Sequence, residues 1–294
     1  MASVMTAPVS IGVEIGQHFV HAVAVDDNGT IRGTALLRSG PPVQASAFRQ
    51  TLDQLSQENA LPASLKVGVA AFDPAAAAVR ELAGSRTVFH AGAAAIAAEA
   101  WRGAARDARC AVALVVGDQI AAGVMAEGVV WRGAHGLAGS ASWLALNPVE
   151  RQDYRRMGCF EAEASGPGIA RRLAWRVEAG DHSAVVARAG GSLAAVTAAH
   201  VFEAARERDA VAISVVRDTA RYIAMAIANL AAVVDPEVVV LCGIVADAGD
   251  LLLDPIRQET LRRLSPTLAT ALRIEPSSLG ASVIPMGAAR LAVA

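Results

Sequence analysis

Few residues of this chain are placed to do chemistry, and most of them sit at strand ends or in tight turns. Glu14 and His18 flank the turn at Gly16-Gln17 between two apolar runs, while Asp118 and Gln119 occupy a second turn that opens at Gly117. Carboxylate, imidazole and amide form a mixed N/O donor set able to hold a divalent cation, and equally able to hydrogen-bond within itself. His90 closes a short apolar run; a lone histidine at a strand end serves as a proton acceptor or as a structural residue. Cys110, Cys159 and Cys242 are odd in number and scattered, which argues against a disulfide framework and fits a reducing compartment. Lys66 is the only lysine, so lysine-dependent mechanisms have one candidate. Arg151, Arg155 and Arg156 read as a solvated loop face rather than a nucleic-acid patch.

The elements that must position these residues follow from periodicity and turn chemistry. Ser10–Ile15, Phe19–Val25 and Ile31–Leu37 read as strands, joined by Gly16-Gln17 and by the hairpin turn Asp27-Asn28-Gly29. A helix over Val43–Gln57, a strand over Leu65–Ala70, a helix over Pro74–Ala83, a strand over Thr87–Phe89 and an alanine-dense helix over Ala91–Ala105 come next. The pattern then restarts: Ala111–Val116, Ile120–Ala126 and Val129–Trp131 repeat the strand–turn–strand–turn–strand opening, which predicts an internal duplication. The second half is mainly helical. Ser165/Pro167–Val177 and Thr197–Glu207 start on N-cap residue types, and Ala210–Val234 carries an apolar stripe through Ile213, Val216, Ala220, Ile223, Ile227 and Leu230. Asp235-Pro236 ends that helix before a strand at Glu237–Leu241, and helices at Leu251–Leu264 and Pro285–Ala292 flank a strand at Leu272–Ile274. Two α/β lobes with a cleft between them are the expected architecture.

The blocks Gly158-Cys159-Phe160-Glu161-Ala162, Ala164–Arg171, Val196–Arg206, Asp235–Gly243, Leu279-Gly280-Ala281 and Gly287-Ala288-Ala289 follow one another in this order. Together they resemble the ROK family of bacterial repressors and glucokinase-like sugar kinases, and the resemblance puts Cys242 and Gly243 on the adenosine side. The resemblance implies an α/β, two-lobed actin-like ATPase (ribonuclease H-like) fold with duplicated βββαβαβα lobes and a central cleft. It places an N-terminal lobe at 1–108, joined by the C-terminal helix at about 285–294, and a larger lobe at 109–284. In that fold the turns holding Glu14, His18, Asp118 and Gln119 face each other.

The site residues depart from the family pattern. The first phosphate loop of these kinases reads Asp-x-Gly-Gly-Thr-Lys; here Glu14-Ile15-Gly16-Gln17-His18-Phe19 stands in its place. The second reads Gly-Thr-Gly-Ile-Gly-Ala-Gly; here it is Gly117-Asp118-Gln119-Ile120-Ala121-Ala122-Gly123. Asp118 sets a carboxylate where a hydroxyl would face phosphate, and two unit charges 4 Å apart cost about 4 kcal/mol at an effective dielectric of 20. The family's catalytic aspartate falls at Ala91, beside His90 and Ala93. Its sugar-gripping Glu and His fall at Ser140 and Trp143, and of its zinc motif only Cys159 remains within Gln152–Cys159. Glu161 is the one matched sugar ligand still present, although a glutamate heading a helix also suits the helix dipole.

The resemblance with these departures predicts a catalytically inactive sugar-kinase homologue, regulatory or ligand-sensing, with no cofactor and no zinc. Two alternatives stand beside it. One is an ATP- and Mg-dependent hexose kinase with a reorganised site, using Glu14 for the metal and His90 or Glu161 for the proton. The other is a ROK-type regulator acting without its own DNA-binding module, since the first strand starts near Ser10 and leaves no room for a winged helix-turn-helix. A sugar is the expected small-molecule partner and a homodimer the expected assembly. Composition agrees with a soluble cytoplasmic protein: 294 residues, 54% hydrophobic with alanine dominant, and a net charge of −2 that gives no pull toward nucleic acid or membrane. No apolar run reaches the ~18–20 residues of a bilayer span, and no basic segment precedes an apolar one as in a signal peptide.

Overall fold

The computed structural model describes residues 9–59 and 65–294, with the side chain of Asp247 left aside, so the leader before Val9 lies outside the described residues. Two five-stranded mixed sheets organise the chain. The first holds β1 (Val9–Ile15), β2 (Phe19–Asp26), β3 (Ile31–Arg38), β4 (Lys66–Ala71) and β5 (Val88–His90) in the order β3-β2-β1-β4-β5. The second holds β6 (Ala111–Val116), β7 (Ile120–Ala126), β8 (Val129–Trp131), β9 (Val238–Gly243) and β10 (Arg273–Pro276) in the order β10-β9-β6-β7-β8. Read from its other edge, the second order repeats the first, element for element. The shared directions agree: β2–β3 and β7–β8 are antiparallel, β4–β5 and β9–β10 parallel. The duplication expected from the repeated opening is therefore present in the strand topology.

The helices are α1 (Ala45–Glu58), α2 (Ala77–Ala83), α3 (Ala91–Arg102), α4 (Gln152–Met157), α5 (Cys159–Ala164), α6 (Gly166–Glu178), α7 (Val185–Arg188), α8 (Ala198–Arg206), α9 (Ala210–Val234), α10 (Ile244–Asp247), α11 (Gly249–Leu261), α12 (Pro266–Ala271) and α13 (Val283–Val293). Contacts gather the chain into two compact units. One comprises Met1–Ala113, Ala122–Gly139 and Ser278–Ala294, and the other Leu114–Ala121 and Ser140–Ser277.

In the first unit, alternation along β1 sorts its side chains between two faces. Ile11, Val13 and Ile15 join Phe48 and Leu55 of α1 in one buried cluster. Gly12 faces α13, and a Cβ there would stand 1.7 Å from the Pro285 carbonyl oxygen, so glycine is what lets the last helix lie on the sheet. The alanine-rich α3 is buried from Ala91 to Glu99. It stops at Gly103, earlier than the expected Ala105, because the Glu99 carboxylate accepts from the Ala104 N–H at 2.9 Å just past the helix end.

In the second unit, the expected caps are in place: Ser165 Oγ accepts from the Gly168 N–H, and Thr197 Oγ1 from the His200 N–H. Asp235 takes a left-handed conformation (φ 51°) that ends α9 ahead of Pro236. The stripe along α9 needs one correction. Ile213 is 45% exposed, and Val211, Ala212, Val215 and Val216 bury the first turns instead. The segment Gln152–Ala164 forms two short helices broken at Gly158 (φ 89°), where a Cβ would stand 2.2 Å from the Ser142 carbonyl oxygen. Among the described residues no helix is long and apolar enough to cross a membrane.

Candidate functional site

The candidate residues fall into two groups, one in each unit. In the first unit, β1 ends at Ile15, in register with Ala71 of β4, which is in turn in register with His90 of β5. The chain leaves β1 through a tight turn closed by Gly16 N–H to Phe19 O at 3.0 Å, with the His18 carbonyl accepting from the Ser39 N–H at 2.8 Å. Gln17 and His18 lie at the surface of that turn. Glu14 is buried on the sheet face that meets α13, and burial alone pushes its carboxyl up to about 8, so it is largely protonated at neutral pH.

His90 is 3% exposed and its Nδ1 has no hydrogen-bond partner. Burial drives its pKa down to about 4, against a weaker opposing pull from Asp73. Ala91 follows, fully buried at the head of α3. The first turn of this helix lies directly on the β7 backbone: a Cβ on Gly92 would stand 1.8 Å from the Ala122 carbonyl oxygen, and one on Gly123 would stand 1.8 Å from that of Gly92. Gly123 thus has a packing reason to be glycine.

In the second unit, the turn Gly117-Asp118-Gln119 is occupied by its own chain. Gly117 N–H donates to Gln119 O at 3.0 Å, and the Gly117 carbonyl accepts from the Gly166 N–H at 2.8 Å. The Ile120 N–H donates to Glu161 Oε2 at 2.8 Å. Asp118 is exposed, with one carboxylate oxygen 2.9 Å from the point where a Gly166 Cβ would lie at the head of α6. Glu161 is 9% exposed, and burial raises its carboxyl to about 7 while the Ile120 N–H opposes the shift. Ser140 and Trp143 bracket a 3₁₀ turn over Ala141–Trp143, with Trp143 at 57% exposure. Cys242 is fully buried in β9, and Gly243 (φ 80°) stands where a Cβ would come within 2.3 Å of the Val116 carbonyl oxygen.

Cys159 is buried at the head of α5 as a free thiol. No group of three His, Cys, Asp or Glu among the described residues could hold a metal ion. Around the segment where the family motif would put zinc ligands, a polar cluster has formed that sequence reading missed. Glu163, 4% exposed, takes the Tyr154 hydroxyl, Arg151 Nη1 at 3.1 Å and an ion pair from Arg172 at 2.5 Å. Arg172 also donates to the Glu163 carbonyl at 2.6 Å. Asn147 Nδ2 reaches the hydroxyls of Tyr154 (3.1 Å) and Tyr222 (3.4 Å), the only two tyrosines in the chain. Arg151, Arg155 and Arg156 are exposed as expected, but Arg155 and Arg156 stand on α4 rather than on a loop, and Arg151 is tied to a buried carboxylate. That pair of tyrosines was the available signal, since a buried phenol hydroxyl needs a partner.

Two duplicated mixed sheets with the strand order 3-2-1-4-5 define the α/β class of two-lobed, actin-like ATPases. The ROK family model matches residues 73–294, three quarters of the chain, and the protein belongs to the ROK family. A glucokinase of Halalkalibacterium halodurans is 34% identical over 184 residues, which cover 62% of this chain and 56% of that protein. The chain thus matches little more than half the length of that relative. A ROK family glucokinase from Streptomyces griseus, solved with glucose and AMPPNP, superposes with a TM-score of 0.81 at 25% identity over 96% of this chain and 98% of that one. A ROK family transcriptional regulator, a homolog of the E. coli MLC protein, gives 0.79 at 18% identity over 97% and 78% respectively. Kinases and a regulator share this fold, so the fold alone does not select between them.

Proposed function

We propose that this ROK protein binds a sugar without phosphorylating it and serves a regulatory or ligand-sensing role. The observation that carries the reading is Ala91: the position matched to the family's catalytic base holds a methyl group, fully buried. The residue beside it offers no substitute. With its pKa held near 4, His90 accepts a proton weakly, whereas a general base works best with a pKa near the working pH.

Mg-ATP fits the residues present poorly. Glu14, the only acid at the first turn, is protonated at neutral pH, and the Gly117 and Ile120 N–H groups of the second turn already have acceptors within the chain. Zinc fits no better, because one thiol at Cys159 lacks the companions that a tetrahedral site needs. Glu161 keeps one carboxylate oxygen clear of the Ile120 bond, and that oxygen can accept a sugar hydroxyl. A cytoplasmic homodimer is the setting the family implies.

The test is a coupled assay with Mg-ATP over hexoses and N-acetylated hexosamines, paired with a thermal-shift screen of the same sugars. Stabilisation by a sugar without turnover is the expected result. A second reading, a hexose kinase with a reorganised site, draws support from Glu161, whose carboxyl near 7 is suited to proton transfer. Turnover abolished in Glu161→Gln would establish that reading and overturn the first.

A further inference from the structure

We propose that the second unit carries a separate binding site for a phosphomonoester, in a cavity of about 570 Å³ framed by α6, α9 and the Glu163 cluster. Five arginines line this cavity against two carboxylates, Glu163 and Asp218, in a chain whose net charge is −2. Their ion pairs do not balance. Asp181 answers Arg176 and Asp218 answers Arg221, one for one. Glu163 is shared by Arg151 and Arg172, and Glu259 by Arg262 and Arg263. Arg262 lies outside the cavity lining, so the five lining arginines face four partner carboxylates and one positive charge remains uncompensated among them. That surplus favours an anionic ligand, and a phosphomonoester is near-dianionic at neutral pH.

The geometry of the groups points the same way. Arg172 is spent within the fold, bound to Glu163 and Thr219 and stacked on the Tyr222 ring at 5.1 Å. Arg151, Arg221 and Arg263 keep a third to a half of their side-chain surface open, with N–H donors beyond those their ion pairs use. Guanidinium forks suit phosphate oxygens because two parallel N–H groups can meet two oxygens. Trp175, 42% exposed, and Tyr222 add aromatic walls able to pack the ring of a sugar or a base. The site needs neither the phosphate turns nor Glu161, so it stands whether or not the chain transfers phosphate.

Isothermal titration of the full chain with glucose 6-phosphate, AMP, inorganic phosphate and glucose tests the assignment. One of the esters is expected to bind saturably, with at least about tenfold weaker binding in an Arg221→Gln/Arg263→Gln variant whose circular dichroism is unchanged. Equal affinity for inorganic phosphate would make free phosphate the occupant of the same site. On the native chain, sulfate should displace the ester while chloride at equal ionic strength does not, which decides the matter even if the paired variant fails to fold. No saturable binding by any phosphate, undiminished binding in the folded variant, or indifference to sulfate would each overturn the proposal.

Discussion

Glu161 Oε2 accepts a hydrogen bond from the Ile120 backbone N–H at 2.8 Å, tying the head of α5 to the start of β7. The family resemblance would assign Glu161 to sugar binding and the Gly117–Gln119 turn to phosphate binding, and the bond uses the first backbone donor after that turn. Burial of the same carboxyl, whose effect this bond opposes, sets a pH dependence. The folded carboxyl, near 7, lies above its ordinary value of 4.5, so the folded state holds the proton more tightly than the unfolded chain. The stabilisation is fully present below about 4.5 and is lost as pH rises through 7. Glu161→Gln, which cannot ionise, should flatten that part of the stability–pH curve. Glu161→Ala should cost about 1–3 kcal/mol by leaving the buried Ile120 N–H without an acceptor. Urea melts of both variants at pH 5 and 8 check the pair.

Glu14 makes a stronger case of the same kind. Its folded pKa of about 8 means that stability falls across the interval from 4.5 to 8, each unit of difference being worth about 1.4 kcal/mol at most. Glu14→Gln should therefore be more stable than the native chain at pH 8 and similar to it at pH 4.5. A native chain whose stability is flat between these pH values would show that Glu14 does not carry this burial cost.

His90 has the opposite sign. A folded pKa near 4 against an ordinary 6.5 means that the unfolded chain takes up the proton first, so stability is lost as pH falls from 6.5 toward 4. His90→Asn should soften the acid limb of the curve while leaving stability at pH 8 close to native. The three windows overlap between 4.5 and 6.5 with opposite sign, so acid titration of His90→Asn beside the native chain, followed by circular dichroism, isolates the histidine.

Much of this was legible in the sequence. The repeated strand–turn–strand openings at Ser10 and Ala111 announced the duplication, and Ser165, Thr197 and Asp235 marked helix boundaries through chemistry that acts within a few residues. Gly92, Gly123 and Gly243 were harder to interpret, because what each glycine meets is backbone far away in the chain. Glu163 was not found at all. Its partners Arg151, Tyr154 and Arg172 lie nine to twelve residues away on either side, and only the breaks between α4, α5 and α6 bring them together. Local pattern finds turns and caps; it does not show which charges become buried.

The Glu163 cluster stands where the family motif would place zinc ligands, and it supports a final prediction. Tyr154, Arg151 and Arg172 hold one buried carboxylate between helices α4, α5 and α6 through hydrogen bonds and ion pairs. A chelator such as EDTA should therefore leave the melting temperature unchanged, whereas a fold that depended on structural zinc would lose its stability with the metal. Glu163→Gln removes the charge facing Arg172, whose side chain is only 14% exposed. Breaking such a pair on one side costs about 3 kcal/mol, because the surviving charge stays buried without compensation. Tyr154→Phe should cost less, about 1–2 kcal/mol, since Glu163 keeps both arginines and Asn147 keeps Tyr222 while two hydrogen bonds to the Tyr154 hydroxyl are lost. Denaturant melts of the two variants, with and without chelator, give the order expected: native, then Tyr154→Phe, then Glu163→Gln, each indifferent to EDTA. A native chain that melts earlier in EDTA would place a metal in this region and overturn the account of the cluster as its replacement.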